Sequence, residues 1–176
     1  PEFSGNYFNG SQYILLDPSS WSDAQTSAEE FGGNLVSINS QEEQDFIFNT
    51  FVSEDIGYTG HWIGAINENN IWKWTDGSSV DFTNWNQYEP SGDGPYGMVW
   101  GTGPNSQGTG KWNDWINDPG LIDPNILMSG IIEIENNISG NDAFVFEDSL
   151  YIGLSPSTWI HAQESAEELG GNLVSI

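Results

Sequence analysis

The 176-residue chain contains no cysteine and no arginine, and its only lysines are Lys73 and Lys111. Without cysteine there are no disulfides, no thiolate-held zinc and no thiol chemistry. Two histidines, His61 and His161, leave little from which to build a zinc site or a catalytic triad. Two cations against 26 acidic residues give a formal charge of −24. A nucleic-acid binder needs Lys and Arg to displace counterions from phosphates, and attraction to an anionic membrane surface needs the same residues. Both classes are excluded. No apolar run is long enough for a membrane-spanning helix, so no membrane insertion is expected of this segment. The absence of a starting Met and of a signal-like stretch makes it read as part of a longer polypeptide.

High charge with low hydrophobicity would suggest disorder. Nine Trp, nine Phe and six Tyr argue the other way. They predict a folded, loop-rich domain with an acidic surface.

The chain repeats itself. Residues 13–38 read YILLDPSSWSDAQTSAEEFGGNLVSI, and residues 151–176 read YIGLSPSTWIHAQESAEELGGNLVSI; 19 of the 26 positions are identical at an offset of 138 residues. This pattern predicts a complete domain over 1–137, a linker over 138–142 and the start of a second copy over 143–176. A stub of that length is too short to bury a core of its own.

Within the first unit, Tyr13 to Leu16 is a short strand. Ser19 or Ser20 caps a helix whose face carries Trp21, Ala24, Ala28 and Phe31, and Gly32-Gly33 ends it. Leu35 to Ile38 is extended. Ser40 and Glu43 form a capping-box pattern before a second helix, roughly Gln41 to Phe51. Trp62 to Ile66 and Ile71 to Trp74 are strands, joined onward by a turn at Thr75-Asp76-Gly77. The segment Phe82 to Gly110 is rich in Gly and Pro, as functional loops often are. Short strands surround it at Met98 to Trp100, Lys111 to Trp112 and Ile131 to Glu135. Two helices followed by several short strands indicate an α+β class.

The ordered set AEEFGGNLVSI at 28–38, WIGA at 62–65, WKWTDGS at 72–78, FTNW at 82–85, EPS at 89–91, WND at 112–114 and IIEIE at 131–135 resembles the C-type lectin-like domain family. The resemblance runs from about Tyr7 to Glu135, and the stub resembles the start of a second, truncated tandem copy. It implies two helices flanking small antiparallel sheets, with a long ligand-binding loop. The family's cysteine positions correspond to Ala28 with Ile132 and Tyr96 with Asn117, so the chain is similar to Cys-free, microbial-looking variants.

In sugar-binding members of the family, calcium in the long loop chelates two adjacent hydroxyls of a monosaccharide. The resemblance assigns that role here to Glu89, Ser91, Asn113 and Asp114. Asp93 is the nearest substitute for an acid missing from the pattern. Ser91 replaces the family's asparagine in a mannose-type motif, and the Glu89-Pro90 bond is expected to be cis. Calcium prefers six to eight oxygens, several of them anionic, and this set is sufficient but not generous. Tyr88, Tyr96 and Trp115 are candidate platforms for a sugar's apolar face.

The other conspicuous side chains have plainer roles. Trp21, Trp62, Trp72, Trp74 and Trp112 belong to the core, His61 to the surface, and Glu29-Glu30 to a solvated helix face. No nucleophile–base arrangement points to an enzyme. The implied function is calcium-assisted carbohydrate binding by an extracellular adhesion or surface module whose partner is a glycan or glycoprotein. The alternative is the same fold as a structural or protein-binding repeat.

The charge imbalance has a direct consequence. Raising NaCl from about 0.01 M to about 1 M shortens the Debye length from about 30 Å to about 3 Å and screens self-repulsion. The melting temperature should rise across that range. A melting temperature that stays level or falls would contradict this.

Overall fold

Local capping, as far as it can be read from side-chain chemistry, is met in the structure. A computed structural model describes residues 6–53, 59–103, 106–135, 143–146, 149–152, 159–168 and 171–173. Strands β1 (Asn6–Phe8) and β2 (Ser11–Pro18) form a hairpin that leads into helix α1 (Trp21–Glu30). Ser20 is its N-cap, and its hydroxyl accepts from the Asp23 N–H at 3.2 Å. Gly32 leaves the helix at φ +82°, a conformation that side chains other than glycine rarely adopt. Phe31 sits at the C-cap and is 57% exposed, so it does not continue the buried stripe expected from the sequence. The helix ends one residue before the stripe would have turned it inward.

After β3 (Asn34–Leu35), helix α2 (Gln41–Ile47) is capped by Ser40, whose hydroxyl accepts from the Glu43 N–H at 3.1 Å. The Glu43 carboxylate accepts in return from the Asn39 N–H at 2.9 Å. The helix then widens into a π-helical turn, Phe48–Val52. That turn keeps Phe51 and Val52 buried along with Ile47.

Strands β4 (Gly60–Glu68), β5 (Ile71–Trp74), β6 (Tyr96–Trp100), β7 (Trp112–Trp115) and β8 (Met128–Glu135) complete an eight-stranded sheet. Its path runs β1-β2-β8-β4-β6-β7, with β3 also pairing β8 and β5 also pairing β4. All these pairs are antiparallel except β4 with β8, which the sequence reading did not foresee.

Strand alternation distributes neighbouring side chains to two cores. Met98 and Trp100 join Trp21, Ala24, Leu35, Trp62 and Met128 on the α1 side. Val99 joins Ile47, Ile63, Trp74, Trp112 and Ile131 on the α2 side. His61 is fully buried in β4, opposite Val99 and Ser129, which corrects the surface placement expected for it. A position just before the apolar WIGA run looked like a strand end, but β4 begins earlier.

The positions that resembled cysteine pairs are filled by other chemistry. Ala28 and Ile132 are both fully buried. Tyr96 stacks on Trp21 with ring centroids 4.4 Å apart. Asn117 holds the start of α1: its Oδ1 accepts from the Ser22 N–H at 2.9 Å, and its amide donates to the Ser22 hydroxyl at 3.1 Å. Burial of Trp62, Trp74 and Trp112 stabilises the fold by about 1.5–3 kcal/mol each, comparable with what a disulfide contributes.

Further along, β9 (Ala143–Phe146) and β10 (Ser149–Ile152) form a second hairpin, followed by helix α3 (Trp159–Glu168). α3 lies 138 residues after α1 at both ends, the offset of the sequence repeat. The expected linker, 138–142, lies outside the described residues.

A polar cluster ties α2 to the sheet. The Tyr13 hydroxyl lies 2.8 Å from the Glu43 carboxylate and 3.0 Å from that of Glu133. Glu133 also accepts from the Ser37 N–H at 3.3 Å. Burial raises the pKa of both carboxyls above the usual range. Asp76 adds to the effect on Glu43, and Glu43 adds to it on Glu133, while Ser11, Ser37, Asn39 and Tyr13 oppose it through hydrogen bonds. The Tyr13 phenol is pushed well above its usual range, so it stays protonated.

Because both folded pKa values are raised, the folded chain holds protons that the unfolded chain releases. Stability from this cluster is fully present below the unfolded glutamate value of about 4.3 and is lost as pH rises through the folded values. The melting temperature of Glu133→Gln should therefore change less between about pH 5 and about pH 8 than that of the parent. Equal slopes would show that the cluster does not titrate as described.

Candidate functional site

The site is assembled where the long loop folds back on the strand that follows it. Residues 84–86 run beside β7: the Trp112 N–H donates to the Asn84 carbonyl at 2.9 Å, and the Asn86 N–H donates to the Trp112 carbonyl at 2.8 Å. The Trp112 indole anchors this ladder to α2 through the Gln44 side chain at 2.6 Å. Lys111 donates to the Asn84 side chain at 2.6 Å. The sequence did not disclose the support that Gln44 and Asn84 give, because both are ordinary polar residues far from any motif.

A turn closes from the Glu89 N–H to the Asn86 carbonyl at 3.1 Å. At its tip Tyr88 adopts φ +72° and is 87% exposed. The Glu89-Pro90 peptide is cis, as expected from the sequence. The chain then passes through Ser91, Gly92, Asp93 and Gly94 and enters β6 beside β7. Gly97 pairs with Asp114 and Met98 with Asn113. A side chain at Gly94 would collide with the Trp115 backbone.

Asp114 is fully buried and its carboxylate faces the returning loop. One oxygen accepts from the Ser91 N–H at 2.7 Å. The other accepts from Gly92 at 2.9 Å and Gly94 at 3.2 Å. The Ser91 N–H also lies 2.8 Å from the Glu89 carboxylate. The Asn113 amide donates to the Asp114 carbonyl at 2.7 Å. Burial raises the Glu89 pKa above the usual carboxylate range, and the adjacent Asp114 carboxylate pushes the same way, while Ser91 opposes the rise.

Glu89, Ser91 and Asp114 are thus brought together, with Asn113 beside Asp114. Asp93 is exposed and adds no third carboxylate to the pair. Among the described residues, no three His, Cys, Asp or Glu side chains gather into a group that could hold a metal ion. The donor set is therefore two carboxylates plus the neutral oxygens of Ser91 and Asn113. Such a set fits a weakly held calcium and lacks the anionic ligands of a tight one.

The candidate aromatic platforms also separate. Tyr96 has its ring against Trp21, and Trp115 packs against Trp100 with centroids 5.2 Å apart. Of the three, only Tyr88 presents a free face. Among the described residues, no helix is long and apolar enough to cross a membrane.

Comparison with known proteins agrees with this architecture. A family profile described as "Lectin C-type domain" matches residues 17–117. Ladderlectin of Oncorhynchus mykiss is 31% identical over 123 residues, covering 67% of this chain and 61% of its own length. The low affinity immunoglobulin epsilon Fc receptor of Homo sapiens is 33% identical over 120 residues, covering 65% of this chain and 33% of its own. Among solved structures, SPL-1 in complex with GlcNAc superposes with a TM-score of 0.64 at 25% identity, over 77% of this chain and 96% of that one. The chain spans less than two thirds of the length of the two sequence relatives. With the two-helix and sheet architecture and the loop folded onto β7, the profile match shows that the chain belongs to the C-type lectin domain family.

Proposed function

We propose that the domain binds carbohydrate at the loop 88–94 and β7, with calcium assisting, as an extracellular adhesion or surface module. The observation that carries this reading is the convergence of Glu89 and Asp114, on either side of the Ser91 N–H, beneath the exposed Tyr88. A relative of the same fold was solved with GlcNAc bound. The residues present suit a binding module rather than an enzyme. A glycan or glycoprotein is the partner class, and the recurrence of the β-hairpin and helix at an offset of 138 residues supports a tandem arrangement.

The division of labour follows from hydrogen-bonding capacity. An ionised carboxylate has about four acceptor sites. Glu89 spends one on Ser91 and keeps the others for sugar hydroxyls or a cation. The Ser91 hydroxyl and Asn113 amide add neutral oxygens. Tyr88 offers an apolar ring face to the C–H side of a sugar. Calcium would be held by Glu89, Ser91, Asn113 and Asp114, and when bound it would accept a pair of adjacent sugar hydroxyls. With two carboxylates, its dissociation constant should lie at about 10⁻⁴–10⁻³ M, the range of extracellular modules.

A glycan array on the full chain, with calcium and with chelator, tests the proposal. Mannose-type glycans should bind in calcium and weaken in chelator. Glu89→Gln should lower both calcium and glycan affinity about tenfold or more, since a hydrogen bond to a charged group is worth about 1.5–3 kcal/mol. Retained binding to a protein partner with no glycan signal would favour the protein-binding alternative.

Acidity provides a second check. Protonated Glu89 loses its charge and most of its acceptor capacity, and its raised pKa brings this loss on at higher pH than for an ordinary glutamate. Glycan affinity should therefore begin to fall while the pH is still above about 4.5. Affinity that stays constant down to that value would remove Glu89 from the site.

A further inference from the structure

In a loop built around a bound cation, the carboxylates are satisfied by the metal and the surrounding backbone is free to loosen when the metal leaves. The arrangement around Asp114 is different. Its buried carboxylate already receives three backbone N–H groups, from Ser91, Gly92 and Gly94. With about four acceptor sites on a carboxylate, one is left. The three donors are successive or nearly successive amides of the loop itself, and they answer the negative charge as a cation would.

Both ends of this arrangement are fixed. Asp114 is held in β7 by its pairing with Gly97 of β6. Gly94 lies so close to the Trp115 backbone that no side chain fits there. Gly92 takes φ +90°, which turns its N–H toward the same oxygen that Gly94 reaches. The sequence Ser91-Gly92-Asp93-Gly94 therefore wraps one carboxylate. Glu89 and the exposed Tyr88 sit immediately before the wrapped segment, so their positions depend on it.

We infer that Asp114 is a positioning residue that holds the loop 89–94 in its binding shape without a metal ion, leaving calcium to act on the ligand rather than on the fold of the loop. This rests on the proposed glycan site and specifies how that site is regulated: the loop is permanently formed, and loss of calcium weakens ligand contact without dismantling the surface.

The test is amide hydrogen exchange by NMR on the full chain, in chelator and in millimolar calcium. In chelator, the amides of Ser91, Gly92 and Gly94 should exchange about a hundredfold slower than unstructured amides. Adding calcium should change those rates by less than about threefold. In Asp114→Asn the same three amides should lose their protection, while Trp62 and Ile63 in β4 keep theirs. That selectivity separates loop positioning from general loss of stability. Should Asp114→Asn fail to fold, the parent chain in chelator still decides the matter.

Protection that appears only when calcium is added would overturn the inference. So would protection that survives Asp114→Asn. If the three amides are protected in chelator and no glycan binds under any condition, the positioning role stands and the glycan reading fails. If glycans bind but protection requires calcium, the glycan reading stands and the positioning role fails.

Discussion

A carboxylate removed from water must be given donors, and the way Asp114 obtains them governs the geometry of the whole ligand-binding edge. Burying an ionised group without partners costs several kcal/mol or more. Asp114 is fully buried, and its partners are the backbone N–H groups of Ser91, Gly92 and Gly94. Those three bonds cannot form unless the loop returns to β7 along one path. That path is closed to a side chain at Gly94 and takes a left-handed turn at Gly92. Everything exposed at the edge, Tyr88 and Glu89 above all, takes its position from this constraint.

The constraint works only because β7 does not move. Trp112, at the start of that strand, is fully buried, packs edge-on against Trp74 and Trp85, and donates its indole N–H to Gln44 of α2. The strand thereby joins the sheet to the helix behind it. On the opposite face, Tyr96 and Asn117 hold Trp21 and Ser22 at the start of α1. Aromatic stacking and side-chain capping thus occupy the positions that resembled cysteines. The acidic surface then sets the conditions of stability, since a charge of −24 leaves repulsion that salt and protons relieve.

The fold was legible where the signal was periodic or chemical. Ser20 and Ser40 announced the two helices, and Gly32 ended the first. Trp62, Trp74 and Trp112 entered the core as expected. Other features depended on tertiary context. The π-helical turn after Ile47 is set by packing, and a helical stripe does not show where it loses phase. His61 preceded an apolar run and was read as surface, but the strand starts at Gly60, so it lies inside the sheet. Of the candidate site, Glu89, Ser91, Asn113 and Asp114 could be named from motifs. That Asp114 would be surrounded by backbone amides was not legible, because amides carry no sequence signal beyond the glycines that let them turn. Nor could the sequence show that Tyr96 and Trp115 would spend their ring faces inside the protein, leaving Tyr88 outside.

The account turns on whether a side chain or a metal shapes the loop. A high-resolution crystal structure of the full chain grown in chelator addresses this directly. The account predicts the Ser91, Gly92 and Gly94 nitrogens within hydrogen-bonding distance of the Asp114 carboxylate, with Tyr88 exposed at the tip. A loop that has left Asp114, with water in place of those three amides, would contradict it.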